Sequence, residues 1–163
     1  ALIGWYTNDT AENLYKKGIE LSFAQHNVAI GNYLSNTSVR GAYYDPRQSA
    51  YNNPTFSSAI TVKWDDSASD KVKLSKIITQ KWIALYPNGQ EAWTEWRRTG
   101  YPKLHKVTQN ASGGVISSEK GVRRIPYPES KLTGEDRVYL ARALQLLGGA
   151  NTGATKVWWD KKN

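Results

Sequence analysis

The sequence predicts a mainly α chain with a loop-rich remainder and a few short strands. Three observations carry this. Leu74, Ile77, Ile78, Trp82 and Leu85 recur at helical spacing and form one apolar stripe between Asp70 and Tyr86. A second apolar-periodic run spans Thr133 to Gly148-Gly149, with Val138, Ala141, Leu144 and Leu147 expected inward. Between such runs, residues 35–58 are rich in Ser, Asn, Thr, Tyr and Gly, carry Pro46 and Pro54, and show neither period.

In chain order, residues 1–34 read as helices. The first opens at Asp9 or Thr10, where Asp9 followed by Glu12 gives a capping-box-like start. Leu14, Gly18 and Leu21 share one side, with Tyr15, Ile19 and Ser22 one step round. Gly18 inside a helix costs about 1 kcal/mol against Ala and is best explained by close approach of another helix. Asn27 restarts a short helix carrying Val28, Tyr33 and Leu34. Residues 35–69 read as a variable loop, of a length that is uncommon unless functional, and then a short strand. Ile60 to Trp64 alternates apolar and polar, and Asp65-Asp66 ends it.

Residues 70–100 read as a helix pair. Pro87, Asn88 and Gly89 turn the chain, and a helix from Gln90 to Arg98 ends at Gly100 with Pro102 just beyond. So short a turn makes the two helices pack. Residues 101–163 read as loops, a strand over Val122 to Ile125, the helix from Thr133, and an extended tail from Lys156 to Asp160 containing Trp158-Trp159.

Composition excludes several chemistries. There is no cysteine among the 163 residues, hence no disulfide framework, thiol nucleophile or Cys-ligated metal. Only His26 and His105 are present, too few for a histidine cluster. The longest uncharged run, Leu21 to Val39, is too polar to span a membrane. With no methionine, Ala1 reads as an internal or processed start. Leu2, Ile3 and Trp5 are then expected to have lost packing partners and to be exposed. Residues 1–66 carry net charge −1 and residues 67–163 carry +9. A basic half raises nucleic acid as a partner, against the blander account of a solvated lysine face.

Individual candidates have structural explanations beside the chemical ones. Glu91 and Glu95, four apart, resemble a glycosidase pair, but acids also belong in the first turns of a helix. Asp65, Asp66 and Asp70 could ligate calcium, yet lack the spacing, glycine and distal Glu of an EF-hand loop. Arg97-Arg98 and Arg123-Arg124 lie beside aromatics, as single-strand binders do and as interior cation–π networks also do. No metal or other cofactor is expected.

Aromatics are the strongest compositional signal, with 7 Trp and 10 Tyr against 2 Phe. A ring with a polar handle suits a sugar, whose C–H face stacks while its hydroxyls take hydrogen bonds. Trp82 and Trp93 fall on inward stripes and read as structural. Tyr43, Tyr44 and Tyr51 sit in the long polar loop instead. They are the candidate carbohydrate contacts, with the amides of Asn36, Gln48, Asn52 and Asn53 nearby in sequence.

The run QKWIALYPNGQEAWTEWRRTGYPKL, residues 80–104, resembles the C-terminal signature of the SusD/RagB family. GWYTNDTAENLYKKGIELSF, RRIPYPES and GGANTGATKVWWDKKN resemble further family stretches in the same order. Trp82, Trp93, Arg97, Arg98, Arg123 and Arg124 lie in these motifs and read as scaffold. Loop 35–58 matches only loosely, as a ligand-specific segment would. The resemblance implies a predominantly helical fold with TPR-like helices, of which residues 1–163 would form the C-terminal portion of one domain. It further implies a non-enzymatic, lipid-anchored outer-membrane protein capturing oligosaccharide or polysaccharide nutrients for a SusC-like TonB-dependent transporter. The membrane would be reached only through an anchor upstream of this chain. The competing classes are a basic, aromatic nucleic-acid-binding module and a glycoside hydrolase domain.

Overall fold

The computed structural model describes residues 1–160. Lys161, Lys162 and Asn163, the end of the last family-like run, lie outside the described residues. Among the described residues there are five α-helices: α1 Ala11–Gln25, α2 Asp70–Ala84, α3 Gly89–Thr99, α4 Ser130–Thr133 and α5 Arg137–Leu147. Single 3-10 turns lie at Tyr33–Ser35 and Ser49–Tyr51. The fold is mainly helical, as the periodicities predict.

The chain divides into two compact units. The first comprises Ala1–Tyr43 and Pro54–Leu104; the second comprises Tyr44–Asn53 and the chain from His105 onward.

In the first unit, Thr10 caps α1 by accepting from the Asn13 N–H at 3.1 Å. Asp9 supports this cap by accepting from Thr10 N and from Asn13 Nδ2. The buried side of α1 is Tyr15 and Ile19, which meet Trp64 in a small core. Tyr15 and Trp64 rings lie 5.0 Å apart at 41°, and the Tyr15 hydroxyl donates to the Val62 carbonyl at 2.7 Å. Burying each of these rings contributes about 1.5–3 kcal/mol, and the hydroxyl bond removes the cost of hiding a polar group.

Several expectations for this unit are corrected. Ile60 to Trp64 is not a strand: a backbone bond from Lys63 N to Asn36 O is not extended into a ladder, and the segment is held by Lys76. The buried Lys76 ammonium donates to Thr61 O, Thr61 Oγ1 and Lys63 O at 2.7–2.9 Å. The inward stripe of α2 is accordingly shifted, since Ser75, Lys76 and Ile78 are buried and Leu74 is exposed. The restart at Asn27 is a left-handed residue, φ 54°, and only the 3-10 turn at Tyr33 follows it. Near Gly18, an added Cβ would meet nothing within 4 Å, so no helix of this structure approaches there. Ile3 and Trp5 are exposed, as expected, and Leu2 is half-buried.

The helix pair forms as predicted. Asn88 caps α3 by accepting from Glu91 N. Gly100 closes it at φ 78°, a left-handed conformation that costs glycine nothing.

In the second unit, α4 and α5 pack together, and α5 ends on left-handed Gly148. Its buried line runs through Leu140, with Leu144 and Leu147 half-buried, whereas Val138 and Ala141 are exposed. α5 has apolar residues on more than one side, so periodicity finds Leu144 and Leu147 but misplaces Val138 and Ala141. Val122 to Ile125 is not a strand. Arg123 N and Arg124 N both donate to a single acceptor, Gly153 O, so no ladder forms. The tail is not extended: Asp160 N returns to Val157 O, turning the chain at Trp158-Trp159.

Candidate functional site

The loop at 35–58 is not structureless. Its central part, Tyr44–Asn53, is closed at its neck by Asn52 Oδ1, which accepts from Asp45 N at 2.7 Å. Inside, Asp45 Oδ1 accepts from Arg47 N and Gln48 N, both at 2.9 Å, a side-chain-capped turn. The Asp45-Pro46 pair is the sequence signal for it. The turn at Ser49–Tyr51 presents the Ala50 carbonyl outward. Thr108 Oγ1 donates to it at 2.8 Å and Gln109 Nε2 at 3.4 Å. These bonds fix the backbone while leaving the aromatic rings outside: Tyr44 is 66% exposed and Tyr51 44%. Tyr44 and Tyr51 each adjoin a residue of the Asp45–Asn52 closure, so both belong to the neck of one loop. Tyr43, 39% exposed, belongs to the first unit.

Such a loop can offer two flat apolar faces on an ordered backbone. Surface tyrosines on a preformed loop lose little rotamer freedom on binding. The arrangement suits stacking against a sugar ring. It contains no acid–base pair: the Asp45 carboxylate is committed to the turn.

The other candidates are tied into structure. Arg97 is buried with its guanidinium carbon 3.7 Å from the centroid of half-buried Trp93. Arg98 grips Glu95 with two bonds, 3.0 and 2.8 Å. Lys81 of α2 approaches Glu95 at 3.2 Å and Glu91 at 3.6 Å, tying the two helices. Trp82 is half-buried and lines a cavity of about 200 Å³ with Tyr33, Thr79 and Pro102.

Arg123 forks onto buried Asp160 at 2.7 Å. Arg124 is buried, donating to Asn151 Oδ1 and Thr152 O and lying 4.7 Å from the Tyr127 ring. Asn151 also exchanges two bonds with the Tyr127 backbone, both at 2.9 Å. The RRIPYPES and GGANTGATKVWWD runs are thus one interlocked structure. Sequence reasoning missed Asp160, Asn151 and Lys76, whose partners are remote in the chain.

These contacts bear on the competing chemistries. Glu95 is pushed below the ordinary glutamate range, mainly by its Arg98 hydrogen bonds. A glycosidase acid needs the opposite shift. Asp65 accepts from Ser67 N and Oγ, and Asp66 lies 3.5 Å from Lys73. Among the described residues no group of three His, Cys, Asp or Glu is placed to hold a metal. His26 caps α1 and His105 is half-buried.

Comparison with known proteins agrees with the motif resemblance. The family described as SusD-like, Susd and RagB outer membrane lipoprotein, matches residues 1–160. A chitin-binding SusD homologue from Flavobacterium johnsoniae is 46% identical, with TM-score 0.87, over 100% of this chain and 34% of its own. A SusD homologue from Bacteroides uniformis is 43% identical, TM-score 0.89, over 99% and 34%. A SusD-like protein from Bacteroides thetaiotaomicron is 34% identical, TM-score 0.88, over 100% and 34%. The chain therefore spans about a third of the length of these relatives. No curated protein matches it. The family model is one of outer membrane lipoproteins, and the chain belongs to the SusD-like family.

Proposed function

We propose that the chain is the C-terminal portion of a SusD-like protein that captures a glycan at the outer-membrane surface and delivers it to a SusC-like TonB-dependent transporter. Loop 35–58 supplies the contacts of this portion through Tyr44 and Tyr51. The observation that carries this reading is the Tyr44–Asn53 loop, ordered by its own hydrogen bonds while its rings remain exposed. A chitin-binding relative at 46% identity supports a carbohydrate ligand.

The test is calorimetric titration of the full-length protein with a panel of oligosaccharides that includes chitohexaose, at low and high salt. Saturable binding of at least one glycan, little changed by salt and without release of reducing ends, is expected. No binding across the panel, or affinity falling steeply with salt as phosphate contacts do, would overturn the reading.

A further inference from the structure

The cavity that Trp82 lines, about 200 Å³, lies wholly within the first unit, and the function above makes no use of it. One wall is α2, where Ser75, Thr79 and Trp82 follow one another at helical spacing. Another is formed by the two stems of loop 35–58, with Ser38 and Arg40 on the way in and Ser58 on the way out. Ser58 N donates to Arg40 O at 3.0 Å and ties the stems together.

Several polar groups of this lining are unmet. Ser75 is 5% exposed, and among the described residues its hydroxyl makes no hydrogen bond. The Trp82 indole N–H has no acceptor among them either. Gln80 uses only its oxygen, which accepts from Tyr33 Oη at 3.0 Å, so its amide N–H donors are also unused. Buried polar groups normally find partners, and a cavity where three such groups meet beside an indole face suits an occupant that is polar at its edge and apolar on one face.

The charge of the lining narrows the class. It includes two cations, Arg40 and Lys103, and no Asp or Glu. Arg40 is held in place, with its guanidinium carbon 4.6 Å from the centroid of Phe56 and Nη2 donating to Lys103 O. Its other N–H donors are unused among the described residues. Burial pulls its pKa down, and no acid beside it opposes the shift. Behind the wall, the Lys76 ammonium lies 2.7 Å from Thr61 Oγ1 and adds a further positive charge. Drug-sized ligands fill about 300–1,000 Å³, so there is room here for a single small unit.

We infer that this cavity binds one carboxylated sugar unit, a hexuronate, with its ring on Trp82, its hydroxyls on Ser75 and Gln80, and its carboxylate on Arg40. The unit is either a free sugar or the end of a longer glycan. The site shares no residue with the Tyr44–Asn53 loop.

Calorimetric titration of the full-length protein with glucuronate tests this, with glucose and inorganic phosphate as comparison probes. Glucuronate should saturate with a Kd of about 1 mM, at least about tenfold tighter than glucose or phosphate, because only it offers both a ring face and a carboxylate. Arg40→Gln should bring glucuronate down to the level of glucose. If that variant does not fold, Ser75→Ala, which removes only a hydroxyl, should weaken glucuronate by about threefold or more. The Tyr44→Ala, Tyr51→Ala double variant should bind glucuronate as the parent does. An oligosaccharide ending in glucuronate that binds as tightly as the monomer would make the ligand a chain end, and binding of the monomer alone would make it a free sugar. No saturation by glucuronate, equal binding of glucose or phosphate, or affinity unmoved by both Arg40→Gln and Ser75→Ala would overturn the inference. So would loss of glucuronate binding in the double tyrosine variant, which would move the ligand to the loop. None of these results touches the glycan-capture reading, which fails only on its own oligosaccharide panel.

Discussion

Arg123 and Asp160, 37 residues apart, meet through both ends of the Arg123 guanidinium: Nε lies 2.7 Å from Oδ2 and Nη2 2.7 Å from Oδ1. The Asp160 side chain is 2% exposed. Removing one partner of a buried pair leaves the other charge unpaired, at about 3–5 kcal/mol. Asp160→Ala should therefore lower the unfolding free energy by about that amount in urea titration. The Arg123→Met, Asp160→Leu double variant should recover part of the loss, because no stranded charge remains.

Glu95 makes stability depend on acid. Its carboxylate is 7% exposed and held by Arg98 and Lys81. Those contacts lower its folded pKa, chiefly through the Arg98 bonds and against the opposing effect of burial. The folded protein therefore binds this proton less readily than the unfolded chain. The stabilisation is complete above the ordinary glutamate pKa and is lost as pH falls through and below that range. Thermal melts from pH 7 to pH 3 should show a smaller decline for Glu95→Gln than for the parent, with the parent more stable at pH 7.

The helix pair was legible because its signals are local: one apolar stripe, a Pro-Asn-Gly turn, a glycine stop. So was the start of α1, although its cap is Thr10 and not the Asp9 of the expected capping box. The rest depended on partners remote in sequence. Ile60 to Trp64 alternates like a strand, but a strand needs a neighbour, and Lys76 supplied a staple instead. α5 has leucines on several sides besides its one valine, so packing chose Leu140 where spacing chose Val138. At the candidate site, the tyrosines could be read from the sequence, whereas the turn that Asp45 caps reads only as part of a long loop. The Thr108 and Gln109 bonds that anchor Ala50 could not be read, because nothing local marks them.

Arg97→Ala should act on stability before binding. The guanidinium lies on Trp93 in a buried setting, where such contacts contribute about 2 kcal/mol, and its aliphatic stem adds packing. We expect a loss of at least about 2 kcal/mol in chemical denaturation, with the affinity of the folded fraction for glycan unchanged. A variant that melts like the parent but binds weakly would contradict this.

Gly153 sits where two family motifs cross. A Cβ there would lie 3.2 Å from Ile116 Cδ1 and 3.4 Å from both Arg124 O and Val122 Cγ1. The Ile116 side chain can give way; the Arg124 backbone is fixed by its own bond to Gly153 O. Gly153→Ala should cost about 1 kcal/mol, the lower end of overpacking penalties, as a lowered midpoint at unchanged slope in urea.

The central claim is that the Tyr44–Asn53 loop touches glycan, and calorimetry of the full-length protein tests it most directly. The parent is compared with the Tyr44→Ala, Tyr51→Ala double variant, using the oligosaccharide that binds best in the panel. Ring contacts of this kind contribute about 1 kcal/mol each, so the account predicts affinity lower by about 30-fold with the melting temperature preserved. A folded double variant that binds as tightly as the parent would contradict the account.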